Sequence, residues 1–303
     1  MGITPHRKEI FLTMRKIKLL TDSACDIDKE FEKKYDIKIM NFPVSIDGKS
    51  YREREDFTNE QFYAMMDSSP EIPKTSQITA YEFEIAFNEI FTEGYTDIIV
   101  VTISSTGSNT YNSAVLAREN FFENHKDANN LHIHIIDSKN YTGVYGYPLM
   151  QSAIKISKGA EPEEVINYLN EWFECAGVYF ASYNLKYAKK SGRISAAAAF
   201  AGELLGLRPI IKISDGVSKV IDKVRGEKNI IPKLVEIAQR DMIPKTPYII
   251  ITGSDPTVSD ELEKELTKKL GYSPEWTCQI GAAVASNAGH KVAGFVIRSV
   301  KNN

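Results

Sequence analysis

Along the first half of the chain, short apolar runs alternate with longer stretches in which apolar residues recur every three or four positions. "KIKLLTDS", "IKIMNFPVSI", "DIIVVTIS" and "LHIHIIDS" read as strands. The third is apolar almost throughout, as a strand covered on both faces would be. Between the runs, "TAYEFEIAFNEIFTEG" puts Phe83, Ala86, Phe87 and Ile90 on one helical stripe and meets a natural stop at Gly94. Thr79, with Glu82 three residues on, has the spacing of a capping box. "TYNSAVLARENFF" and "YPLMQSAIKISKG" read as further helices. Alternating strands and helices predict an α/β fold with a mostly parallel sheet. "KGAEPEEVINYLNEWF" then opens a second half, with Pro162 suited to a first helical turn.

The pattern changes beyond that helix. "AGVYFASYN", "RPIIKISDG", "VSKVIDKVRG", "TPYIIITGSD", "CQIGAAVAS" and "VAGFVIRS" read as strands, and "SAAAAFAGELLG" as a small-residue helix. Two alternating runs around Asp215-Gly216 form a strong hairpin signal. The expectation is therefore two domains, 14–160 with a mostly parallel sheet and 161–303 with a mixed sheet. The segment "MGITPHRKEIFLT" fits no element, and the chain reads as starting its first strand near Met14.

Composition narrows the function classes. A net charge of -3 gives no electrostatic case for nucleic acid or an anionic membrane surface. No apolar run has the length of a membrane span. Three widely spaced cysteines, Cys25, Cys175 and Cys278, fit a reducing cytoplasm and no zinc pattern. Phosphate-loop, dinucleotide, nucleophile-elbow and zincin motifs are absent from the sequence. No cofactor and no catalytic residue is expected.

Hydroxyls, by contrast, are concentrated. Six of the eight residues of "SSTGSNTY" carry one, at the end of an apolar strand and the start of a helix. Two readings are open: a set of donors aimed at an anion, since helix N-termini hold unpaired N–H groups and partial positive charge, or a helix cap with spare hydroxyls. Three loops of this kind, "TDSACD", "SSTGSNTY" and "DSKNYTG", would converge beyond the strand ends. Thr75, Ser76 and Gln77 form another cluster that capping does not use. Lys189, Lys190 and Arg193 flank Gly192, either as a carboxylate site or as a solvated basic turn. His132 and His134 share a strand face with no third metal ligand in view. His6 and His125 read as superficial.

These segments together resemble the DegV family of bacterial fatty-acid-binding proteins, which includes the lipid-carrier subunits of fatty acid kinase. "TDSACDI", "TSQIT", "SSTGSNTYNSA", "DSKNYTGVYG", "LKYAKKSGRIS", "LRPIIKISDG" and "KVRGEKN" are similar to the family's signposts, in order, from about Lys16 onward. The resemblance implies two α/β domains with one long-chain fatty acid between them. It also implies a partner, a kinase subunit related to dihydroxyacetone kinases, that phosphorylates the bound carboxylate. Carried over, the ligand-binding residues are Thr75, Ser76, Ser108 and Arg193, with Asn109 and Asn287 at two departures. Asn109 replaces a family Gly, and Asn tolerates left-handed backbone. Asn287 stands at the family's usual His, where it can donate but cannot titrate. His290 lies three residues on. Two alternatives stay open: a lipid sensor or storage protein without a kinase, and an enzyme acting on a small carboxylated or phosphorylated substrate.

Overall fold

The computed structural model describes residues 15–200 and 206–300. The segment before Arg15, including His6, and positions 201–205 of the small-residue stretch lie outside the described residues.

A four-stranded parallel sheet is built from β1 (Ile17–Asp22), β2 (Lys38–Met40), β6 (Asp97–Thr102) and β7 (His132–Asp137), in the order β2-β1-β6-β7. Strand β6 is buried along its whole length, as its apolar run requires. Helix α1 (Lys29–Tyr35) joins β1 to β2, and α3 (Ala80–Thr92) and α4 (Thr110–Asn124) flank β6 in the chain. Phe83, Ala86, Phe87 and Ile90 of α3 are all buried, and Thr79 and Glu82 form the capping box.

The run "IKIMNFPVSI" is not one strand. It divides into β2 and β3 (Pro43–Ile46), and β3 belongs to a separate antiparallel sheet, between β4 (Lys49–Arg52) and β5 (Lys74–Thr75). Pro43 has no N–H with which to continue a ladder. Just before it, the N–H of Phe42 turns to the Ser23 hydroxyl at 3.0 Å. Helix α2 (Asn59–Ser68) lies between β4 and β5 in the chain.

Helix α5 (Gly143–Ser157) begins at Gly143 rather than near Tyr147, so Pro148 lies inside it. A proline there leaves the carbonyl four residues back, Val144, without its helical donor. The indole Nε1–H of Trp172, on α6 (Pro162–Cys175), donates to that carbonyl at 2.8 Å. A tertiary donor replaces the missing helical one, so the helix continues through the proline.

The mixed sheet comprises β8 (Ala176–Ser182), β9 (Leu207–Ser214), β10 (Val217–Arg225), β11 (Ile249–Thr252), β12 (Trp276–Gln279) and β13 (Val292–Arg298), in the order β10-β9-β8-β13-β11-β12. Only β11 and β12 pair in parallel. Asp215 and Gly216, with φ of 51° and 73°, form the two-residue turn joining β9 to β10. Alternation along the strands divides the sheet between two cores. Tyr179, Ile250 and Phe295 face α9 (Ile230–Asp241) and α10 (Pro256–Leu270). Val178, Phe180, Ile249 and Ile251 join the main core, which runs without a break into the parallel sheet. Residue 160, the expected boundary, lies in the turn between α5 and α6.

Two further expectations are corrected. "CQIGAAVAS" is a strand only to Gln279; Ala282–Ala288 form helix α11. That segment has no local side-chain cap. The buried Glu53 carboxylate accepts from Ala283 N at 2.9 Å and Asp26 from Gly281 N at 2.8 Å, supplying a cap from far away in the chain. Of the small-residue stretch, only Ser195–Ala198 (α8) is helical among the described residues, and Ala198 and Ala199 are exposed rather than close-packed.

Candidate functional site

Most of the hydroxyls of "SSTGSNTY" hold their own loop in place. Ser104 O accepts from the N–H groups of Gly107 and Ser108 at 3.0 and 3.1 Å, closing a turn. Asp137, at the end of the adjacent strand β7, accepts from Ser105 N at 3.1 Å and Ser105 Oγ at 2.5 Å. Thr106 Oγ1 donates to Gly216 O at the hairpin tip, at 3.0 Å. Ser108 Oγ shares a 2.8 Å bond with Thr110 Oγ1 and accepts from Thr110 N at 3.3 Å, which ties down the chain as it enters α4. Much of the stretch is therefore structural, while Ser105, Thr106, Ser108 and Asn109 also line a cavity.

Asn109 does not need its tolerance of left-handed backbone. Its φ is -79°, a conformation open to any residue. The close approach is at Gly107, where a methyl group would overlap the phenol oxygen of Tyr141 unless that side chain shifts.

The cavity has a volume of about 720 Å³ and is lined from both halves of the chain. Thr75, Ser76, Ser108, Asn109, Arg193 and Asn287, the six residues singled out from the sequence, all line it. So do Gln77, Ser105, Thr106, Tyr141 and Ser191. Its apolar lining comes largely from one face of the mixed sheet: Val178 and Phe180 of β8, Ile213 of β9, Ile251 of β11 and Val292 of β13, with Phe42, Ile103 and Ile280. Phe180 and Ile251 both lie opposite Gly294 in register. A Cβ at Gly294 would meet Phe180 and the Tyr179 carbonyl, so glycine lets the strands pack under this floor.

The basic turn follows α7 (Leu185–Ser191). Gly192, with φ of 70°, ends that helix in the left-handed region and turns Arg193 back toward the loop after β6. Arg193 Nη1 donates to Ser191 O at 2.9 Å and Nε lies 3.4 Å from Gly107 O. Among the described residues no carboxylate pairs with Arg193. Asn287, on α11, donates from Nδ2 to Ala283 O at 2.8 Å. His290 is not part of the lining. Its Nδ1 bonds Ser254 Oγ at 2.7 Å and its Nε2 bonds Asp67 at 2.8 Å, which fixes the ring away from the cavity. The His132 and His134 rings lie 6.4 Å apart, and His134 Nε2 is 3.6 Å from Asp97. Among the described residues no group of three or more His, Cys, Asp or Glu is arranged to hold a metal ion.

Of the three loops expected to converge, "TDSACD" does not reach the cavity. Its Asp22 is buried and ties the strand ends together, accepting from Ile103 N at 2.7 Å, Tyr145 Oη at 2.5 Å and Ala24 N at 3.2 Å. Burial pushes this carboxyl up to about 7, with those donors working the other way. Ser23 and Asp26 instead line a second cleft of about 370 Å³ with Glu53, Arg54 and Trp276. Burial pushes the Asp26 and Glu53 carboxyls up as well.

The sequence reading missed the apolar floor and Tyr141. The floor residues belong to alternating strands whose inward face is fixed only by sheet pairing. Tyr141 stands in "DSKNYTG", a loop noticed for its small polar residues rather than its aromatic ring. Burial raises its phenol above the usual tyrosine value, while hydrogen bonds with Thr106 and Ser104 and the Arg193 charge work the other way.

Known proteins share this architecture. A profile of the DegV family, described as uncharacterised protein, matches residues 16–300. A DegV domain-containing protein of Caldanaerobacter subterraneus is 30% identical over 284 residues, covering 93% of this chain and 98% of that protein. The crystal structure of a stearic acid-binding protein from Eubacterium ventriosum superposes with a TM-score of 0.83 at 28% identity, covering 94% of this chain and 98% of that one. A Thermotoga maritima protein whose structure is described as revealing fatty acid binding function gives a TM-score of 0.76 at 27% identity, covering 94% of this chain and 100% of that one. Among the described residues no helix is long and apolar enough to cross a membrane.

Proposed function

This chain belongs to the DegV family, and we propose that it binds one long-chain fatty acid in the cavity between its halves and presents the carboxylate to a separate kinase subunit. One observation carries the reading. Thr75, Ser76, Ser108, Asn109, Arg193 and Asn287, with further hydroxyls of Ser105, Thr106 and Tyr141, meet on a single cavity that also has an aliphatic and aromatic floor from Val178, Phe180, Ile213, Ile251 and Val292. That division suits an amphiphile with one anionic end. A fatty acid carboxyl group has a pKa near the ~4.3 of Glu and is an anion at neutral pH. A buried carboxylate without partners is costly. The Ser108 hydroxyl, the N-terminus of α4 and the Arg193 guanidinium supply those partners.

The tail supplies the affinity. At roughly 0.8 kcal/mol per buried CH₂, a sixteen-carbon chain offers on the order of 11 kcal/mol before entropy losses. A volume of about 720 Å³ falls in the range of ordinary ligand sites. The protein would act as a carrier, without catalysis of its own, in the cytoplasm. The kinase subunit, related to dihydroxyacetone kinases, would bring ATP and transfer the phosphoryl group to the carboxylate. Asn287, which cannot titrate, favours one second reading, a lipid sensor or store that works without the kinase.

Mass spectrometry of an organic extract from the denatured protein, against a matched blank, tests binding. A fatty acid at near-stoichiometric amount is expected. An empty extract, repeated after incubation with mixed fatty acids, overturns the reading. Adding a DegV-partner kinase and ATP to the loaded protein then separates the roles, since acyl phosphate forms only if the protein is a kinase carrier.

A further inference from the structure

We infer that Tyr141 is a further positioning residue for the ligand's anionic head group, its phenol donating to the carboxylate beside Arg193. This rests on the fatty-acid reading of the cavity. Three observations carry it. Tyr141 lines the cavity together with Thr106, Ser108 and Arg193. Its hydroxyl oxygen occupies the space that a Cβ on Gly107 would take, which places the oxygen against that glycine. Arg193 Nε lies 3.4 Å from the carbonyl of the same glycine. A neutral O–H donor and a guanidinium are thus brought to one short stretch of backbone, two residues before the N-terminus of α4 at Asn109.

The chemistry fits the need left by Asn287. A carboxylate has more lone-pair sites than one arginine satisfies. A group that stays protonated can donate throughout the neutral range, and a phenol with an ordinary pKa near ~10 does so without adding charge. Gly107, which the phenol oxygen approaches, sits between Thr106 and Ser108, so the oxygen lies at the head-group end rather than along the apolar floor. The loop carrying Tyr141 is anchored independently of any ligand: Ser104 N donates to Asn140 O at 3.0 Å and Thr142 N to Ala24 O at 3.0 Å. The donor is therefore already in place before a ligand binds, which lowers the entropic cost of using it.

The test is the Tyr141→Phe variant of the full chain, which keeps the ring and removes only the oxygen. Dissociation constants for palmitic acid and methyl palmitate are measured on wild type and variant at pH 7.5, with the melting temperature of each ligand-free protein. A hydrogen bond to a charged acceptor is the stronger kind, so the affinity for the acid should fall about tenfold. The ester should lose much less, and the preference for acid over ester should shrink by nearly the same factor. Equal losses for acid and ester would mean that the phenol only shapes the cavity, and would overturn the assignment, as would unchanged affinity for the acid. If wild type binds neither ligand, the fatty-acid reading itself fails and the assignment falls with it.

Discussion

Arg193 and Gly107 meet in the wall of the cavity, the guanidinium Nε lying 3.4 Å from the glycine carbonyl. Arg193 belongs to the C-terminal half, held there by the left-handed Gly192. Gly107 belongs to the loop between β6 and α4. The contact brings a charge supplied by one half to a helix N-terminus supplied by the other.

Arg193→Ala and Ser108→Ala should each weaken binding of palmitic acid, by about tenfold or more for the arginine and about threefold to tenfold for the serine. His134→Ala should leave affinity unchanged, because His134 contacts Asp97 rather than the cavity. Titration calorimetry on the three variants checks this. Unaltered affinity in both head-group variants would remove Ser108 and Arg193 from the site.

Gly107→Ala should lower the melting temperature, since its methyl group overlaps the Tyr141 phenol. Adding Tyr141→Phe removes the atom met most closely, so the two changes together should cost less than their sum. A double-mutant cycle measures the coupling. Strict additivity would mean that the loop, not the tyrosine, absorbs the methyl group.

Trp172→Phe should destabilise by about 1–3 kcal/mol beyond the loss of packing, because it leaves the buried Val144 carbonyl without a donor. Pro148→Ala restores a backbone N–H to that carbonyl. It should therefore recover part of the loss in the Trp172→Phe background. Denaturant unfolding of both variants decides it; no recovery would show that the indole acts by packing alone.

Asp22 makes stability depend on pH. Its folded-state value of about 7 lies above the ~3.9 of an unfolded Asp, so the folded chain holds that proton more tightly. Stability owed to the neutral group is complete below about pH 4 and is lost as pH rises through 7, by as much as a few kcal/mol. Asp26 and Glu53, also pushed up by burial, act in the same direction. Asp22→Asn carries no such titration. Its stability relative to wild type should rise between pH 5 and pH 8.5, and parallel unfolding midpoints across that range would contradict the assignment.

The sequence was most informative where local rules and tertiary demands agree. The stripe of α3, the Thr79–Glu82 box, the unbroken apolar run of β6 and the Asp215-Gly216 hairpin each follow from spacing alone, and the structure keeps all four. It was least informative where a partner far along the chain supplies what the local sequence lacks. Helix α11 has no cap of its own and starts where Asp26 and Glu53 receive its N–H groups. Helix α5 passes through Pro148 because Trp172 replaces a missing donor.

The same division runs through the candidate site. Hydroxyls and a guanidinium are legible as residue types, and the ordered resemblance to the DegV family carried Thr75, Ser76, Ser108 and Arg193 over as site residues, with Asn109 and Asn287 at its departures. Which hydroxyls secure the loop and which face the cavity depended on Asp137 and Gly216, whose positions come from strand pairing and hairpin docking. That His290 turns to Asp67 and Ser254, and that Val178, Phe180 and Ile251 share one floor, were likewise decided by packing. Sequence specifies each residue's chemistry and local periodicity, whereas distances between residues a hundred positions apart exist only once sheets pair and the two cores close.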